Sequence, residues 1–129
     1  MKFFTVHKEF KRISEEVNKL IEKCDFKINK YGEISENENQ DVIYQLSRLT
    51  ELLPRCIDAN LPDDAASVFV QLTILDSIET SNVMIDKGCI ERSLDRIEMQ
   101  LINAQSKNES IIYKHIMKEF QKVFYNNRY

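Results

Sequence analysis

His7 and His115, with Cys24, Cys56 and Cys89, are the side chains of this chain best suited to act as nucleophiles, bases or metal ligands. A Cys–His pair works when the imidazole takes the thiol proton and the thiolate attacks an electrophilic carbon. The two histidines stand near opposite ends of the sequence, so such a pair needs a fold that brings the termini together. Nothing in the spacing supplies the third, orienting group or an oxyanion site. Zinc needs four ligands in a tetrahedron, usually from locally paired residues. The thiols are instead isolated, in "EKCD", "PRCI" and "KGCI", and each falls on an apolar stripe, as small core residues do. Their near-equal intervals are not a repeat, because the flanking residues do not align. The carboxylates of "PDD", "LDSIE" and "LDRIE" are separated by apolar residues at helical spacing rather than gathered for acid–base work. There is no Gly-rich phosphate loop. The expectation is a protein that is not an enzyme, with no catalytic residues, no metal and no cofactor.

The last helical stretch is aromatic, with Tyr113, Phe120, Phe124, Tyr125 and Tyr129. Such side chains either pack inward or anchor a partner from an exposed face. Tyr113, Phe120, Phe124 and Tyr125 are therefore the candidate partner-binding residues.

The elements that must position these groups follow from composition and period. A chain of 129 residues is one domain, 1–129, large enough to bury a core without staples. Two glycines and two prolines are too few for the corners of an all-β fold. Three cysteines without a CxxC pair make no disulfide framework. The start, "MKFFTVHKEF", has too short an apolar run for a signal peptide, and no run approaches the roughly 20 apolar residues that span a bilayer. These features point to a reducing compartment, cytoplasmic or nuclear, with no membrane span. Charge is uneven: residues 1–32 hold eight Lys/Arg and five Asp/Glu, residues 33–106 five and fourteen, and residues 107–129 five and two. Basic ends around an acidic middle mean solvated helix faces, ends lying against the middle, or an acidic face meeting a basic partner. No dense Lys/Arg cluster with interleaved aromatics marks general nucleic-acid binding.

Phe3, Val6, Phe10, Ile13, Val17, Leu20 and Cys24 step by three and four, which puts them on one helical stripe. That helix runs to about 30 and ends at Gly32, suited to the left-handed conformation. Ser35 and Glu38 form a capping box for a second helix, about 37–58, on the stripe Val42, Leu46, Leu49, Leu53 and Cys56. Pro54 is expected to kink or end it. Asn60 suits a turn, Pro62 a first helical position, and Asp63 and Asp64 the positive end of a helix. The run "SVFVQLTILDS" alternates like a strand, yet a lone strand leaves its backbone groups unpaired. As a helix over about 63–86, with Val68, Leu72, Leu75, Ile78 and Ile85 on one stripe, it is apolar on nearly every side. It should therefore be buried among its neighbours. Gly88 ends or bends that helix. A fourth follows at about 89–105 with Ile90, Leu94, Ile97 and Leu101. Ser106 and Glu109 cap a fifth, about 107–125, carrying Ile112, Ile116, Phe120 and Val123. The predicted fold is all-α: a single five-helix bundle, mostly antiparallel, with a buried central third helix.

Residues 8–96 resemble the small helical domain shared by the steroid receptor RNA activator protein and the C-terminal end of the COPII vesicle coat's outer subunit. The matching positions are Phe10, Ile13 and Leu20; Ser35, Val42, Leu46 and Leu49; Asp64, Ala65 and Ala66; and Gly88. The family's Trp near the end of its third helix is missing, since this chain has none, and "RCIDANLP" lengthens the preceding link. The resemblance implies a non-catalytic protein-interaction module. Its coat branch implies an adaptor in ER-to-Golgi vesicle transport, and its activator branch a nuclear transcription coregulator. Read from the residues alone, the alternatives are a scaffold that self-associates through the first helix and a ribosome- or RNA-associated factor docking by its basic ends. A protein partner is the first expectation, a homo-oligomer the second, and nucleic acid the last.

Overall fold

A computed structural model describes residues 2–80, 87–102 and 107–120. Five helices follow one another: α1 (Lys2–Tyr31), α2 (Glu36–Asp58), α3 (Pro62–Ile78), α4 (Lys87–Ile102) and α5 (Lys107–Phe120). There is no strand among the described residues, so the alternating run of α3 is helical and the all-α bundle expected from periodicity is the fold.

The helix ends are set by the residues the sequence offers for them. Gly32, at φ +82°, closes α1, and its N–H donates to the Ile28 carbonyl. Ser35 and Glu38 make the full capping box on α2: the Glu38 N–H donates to Ser35 Oγ at 3.1 Å and the Ser35 N–H to Glu38 Oε1 at 2.7 Å. At the other end of α2, Asn60 takes φ +54°. Its N–H donates to the Ile57 carbonyl and the Leu61 N–H to the Cys56 carbonyl, both at 3.0 Å. That pair of bonds is a Schellman closure with asparagine in the left-handed seat that glycine usually fills. Pro62 then opens α3 at its first turn.

Of the two outcomes expected at Pro54, a kink or an end, the end does not occur: α2 runs through it to Asp58. A proline inside a helix costs about 3 kcal/mol. Beyond the proline Cys56 and Ile57 are 0% exposed, and Pro54 is itself buried; burying a side chain such as Ile57 contributes about 1.5–3 kcal/mol. Together these offset the lost amide. α3 departs from expectation in the other direction and stops at Ile78. Beyond it the Asn39 side chain, on α2, intercepts the chain: its amide donates to Glu79 Oε1, and its Oδ1 accepts the Thr80 N–H at 2.9 Å. Glu79 is accordingly extended. Ile85 lies outside the described residues, as do Ser106 of the second capping box and Val123. Gly88 falls inside the first turn of α4 rather than before it.

Ion pairs and hydrogen bonds fix the directions. Arg55 reaches Glu9 and Arg48 reaches Glu16, so α1 and α2 are antiparallel. His7 meets Asp64, and Ser14 and Asn18 meet Gln71, so α1 and α3 run parallel. The second half of α4 and the start of α5 come to the α2–α3 corner. There Arg96 pairs with Asp58, Gln100 Nε2 donates to the Ile57 carbonyl, and the Tyr113 hydroxyl donates to Asn60 Oδ1 at 3.0 Å. The ion pairs of α1 with α2 run against the charge asymmetry, with the basic α1 supplying the acids and α2 the arginines. The core joins Val6, Ile13, Val17, Leu20 and Cys24 of α1 to the apolar faces of α2 and α3, with Ile97, Tyr113 and Ile116 from the last two helices. Ile13 and Val17 are therefore occupied within the chain and form no exposed self-association seam.

α3 is less enclosed than its composition suggests. Among the described residues it packs on α1, α2 and α5 only. Ala65, Val68, Phe69, Leu72 and Leu75 are buried, but Val70 is 53% exposed and Ile74 36%. The helix expected to be buried among its neighbours is, among the described residues, covered on three sides and open on the fourth. An apolar circumference does not by itself summon a neighbour for every face.

Asn60→Gly keeps the left-handed seat but removes the contacts of its side chain; urea unfolding followed by circular dichroism should show a loss of about 1–2 kcal/mol. Asn60→Ala should cost about 1 kcal/mol more, because an L side chain resists positive φ. The Arg55 guanidinium holds the Glu9 carboxyl below the ordinary 4.5, and the Ser35 N–H does the same for Glu38. Both carboxylates ionise more readily folded than unfolded, so their stabilisation is complete above that value and is lost as pH falls through their folded-state range. A Glu9→Gln, Glu38→Gln variant should lose less stability than the wild type over the same acid titration.

Candidate functional site

The side chains first singled out for chemistry do not come together. Cys24 and Cys56 are free thiols, both 0% exposed. Burial, with the Asp64 carboxylate nearby, pushes the Cys56 thiol up to about 12; burial also raises Cys24. A thiol so protonated is neither nucleophile nor ligand. Cys89 lies outside the described side chains. His115 is exposed on α5, while His7 Nδ1 donates to Asp64 Oδ2 at 2.6 Å across α1 and α3. That pair edges a cleft of about 300 Å³ with Phe4, Leu61, Pro62 and Asp63. It is a carboxylate-oriented imidazole whose neighbours in the cleft offer no nucleophile, and it ties two helices. Among the described residues no group of three or more His, Cys, Asp or Glu side chains is placed to hold a metal ion.

Of the candidate partner-binding aromatics, Tyr113 is 0% exposed. Its ring fills the core between α5 and the α2–α3 corner, and its hydroxyl is held by Asn60. Burial raises that hydroxyl well above its usual range, and the Glu109 carboxylate adds to the effect. Tyr113 is thus a packing residue and not a surface anchor. The Phe120 side chain, Phe124 and Tyr125 lie outside the described residues.

A different place has the character of a binding surface. On its uncovered side α3 presents Asp63, Ser67, Val70, Ile74 and Ser77, spaced by four and three, which is one helical face. Beside it runs a groove of about 340 Å³ between α1 and α3, lined by Ser14, Asn18, Ala66, Ser67, Val70 and Gln71. Gln71 is 6% exposed. Its Nε2 donates to Ser14 Oγ at 3.0 Å and Asn18 Oδ1 at 2.9 Å, and lies 3.2 Å from the Ser14 carbonyl oxygen. Its Oε1 is buried with no protein partner. An acceptor in that condition costs about 1–3 kcal/mol. The groove therefore has an apolar lip, Val70 and Ala66, and a polar floor in which Gln71 Oε1 is shut off from solvent.

Reading α3 from its sequence as apolar all round hid this surface. The signal that could have found it is the polar punctuation: Ser67 and Ser77 share a face with Val70 and Ile74, and Gln71 interrupts the apolar run.

The architecture defines the chain as a five-helix all-α bundle in which no helix among the described residues is long and apolar enough to cross a membrane. No protein-family model matches the chain. Neither a curated protein nor a solved structure matches it.

In a Cys89→Ser variant, Cys24 and Cys56 should resist an aromatic disulfide reagent under native conditions and react only as denaturant unfolds the bundle. Rapid native labelling would show that the core opens far more often than its packing implies.

Proposed function

We propose that this protein is a non-catalytic interaction module that receives an amphipathic helical segment of a partner protein along the exposed side of α3. The observation that carries this reading is the exposure of Val70 and Ile74, one turn apart on a helix whose other apolar residues are buried or, at Ala66 and Ile78, half-buried. Two apolar side chains at that spacing form the strip against which the apolar face of a second helix is laid. The groove beside the strip adds specificity. Its exposed polar residues, Asn18 and Ser67, favour a partner whose own polar groups meet those two side chains. The bundle itself, tied at one corner, supplies a rigid face and little ordering cost on binding.

The resemblance of residues 8–96 to the coat and activator domains supports the same class of role. Its coat branch would make the partner a component of ER-to-Golgi vesicle transport, and its activator branch a nuclear regulator. The groove reading depends on neither branch.

The test is a comparative capture. The tagged chain and its Val70→Asp, Ile74→Asp double variant should unfold at the same temperature within a degree or two, since both sites face solvent. Proteins retained by the wild type should be lost from the variant by tenfold or more. Equal capture by both, with intact folding, would remove α3 as the docking face. A wild type that is monomeric and shows turnover of a small molecule instead would remove the whole reading.

A further inference from the structure

A second surface lies at the far end of α1, independent of the α3 groove. Seven residues beyond Gln71 lies Ile78, the last residue of α3, and seven beyond Asn18 lies Asp25. With α1 and α3 parallel, α3 therefore ends near the level of Asp25, and α1 continues past it to Tyr31. On that overhang Phe26 and Tyr31 are each 60% exposed and Ile28 is 37% exposed. Lys23, Lys27 and Lys30 recur at intervals of four and three, which is one helical face, and Phe26 and Tyr31 share it. The ammonium groups already sit on these rings: Lys30 Nζ is 5.6 Å from the Phe26 centroid and 5.4 Å from that of Tyr31, and Lys27 Nζ is 5.4 Å from Tyr31. Helical spacing sets Asp25 on the opposite side and Glu22 at the border. Glu38, the α2 acid that feels Lys23 and Lys27, is buried in its capping box, while Glu33 and Glu36 are exposed beyond Tyr31 in the turn and at the start of α2, so the positive charge belongs to the side of α1 and not to its very end.

We infer that this tip docks on a lipid bilayer bearing anionic headgroups. Two exposed rings with three lysines between them on one side of the helix match an interface where rings enter the headgroup layer and amines stay with the phosphates. Positive charge complements an anionic leaflet. A nucleic-acid strand is the poorer fit: it needs flat faces along a groove that follows its backbone, whereas this is a helix end that includes an isoleucine. The association is peripheral, and three lysines make it reversible.

The chain has no tryptophan, so a Phe26→Trp variant carries a single reporter. With phosphatidylcholine vesicles containing phosphatidylserine, its emission should shift to the blue and be quenched by brominated acyl chains; with phosphatidylcholine alone neither should occur. Each lysine near an anionic surface is worth about fivefold in partitioning. Lys23→Gln, Lys27→Gln and Lys30→Gln together should therefore weaken co-sedimentation about a hundredfold, and high salt should mimic them. Circular dichroism checks that this variant is folded; a Tyr31→Ser variant, altering one exposed ring, gives a second reading and should weaken binding severalfold. The proposal is overturned if phosphatidylserine makes no difference, if brominated chains leave the tryptophan unquenched, or if single-stranded RNA binds the wild type more tightly than the vesicles do. Val70→Asp with Ile74→Asp should leave vesicle binding unchanged, so this surface and the α3 face fail or stand separately.

Discussion

The corner between α2 and α3 is where the other three helices are held. Asn60 there adopts a backbone conformation that closes α2 and turns the chain into α3 within three residues. Because the turn is so short, the two helices leave it antiparallel and in fixed register. The polar groups that the corner exposes then become attachment points. Arg55 and Asp64 hold α1, Asp58 and the Ile57 carbonyl hold α4, and the Asn60 amide holds α5 through Tyr113 and Glu109. Helix C-terminal carbonyls need donors from somewhere; here the Gln100 side chain supplies one and gains a position for α4 at the same time.

The same short corner explains the open side of α3. With α2 fixed on one side of it, α1 packs into the crevice on one flank and α5 on the other. Among the described residues nothing covers the side facing away from α2, although Val70 and Ile74 stand on it. The apolar content of α3 thus serves two ends, a core on three sides and a surface strip on the fourth.

Much of this was legible in the sequence where local chemistry decides. Gly32, the Ser35–Glu38 box, Asn60 and Pro62 are each where the helix-ending and helix-starting rules put them, and the α1 stripe is buried from Val6 to Cys24 apart from half-buried Phe10. What could not be read depended on groups far apart in the chain. Asn39 cuts α3 short from forty residues away, and Pro54 is overridden by the burial of Cys56 and Ile57 beyond it. Tyr113, three residues before Ile116, shares its buried face, but that Asn60 would offer its hydroxyl a partner could not be read from α5. Gln71 reads as a blemish in an apolar run until Ser14 and Asn18 are set beside it.

Among the described residues α1 makes no packing contact with α4 or α5. The first helix and the last pair are two wings borne on one hairpin. Within the described residues, mechanical force or thermal displacement on one wing reaches the other by passing through α2 and α3, so the hairpin acts as the gear between them.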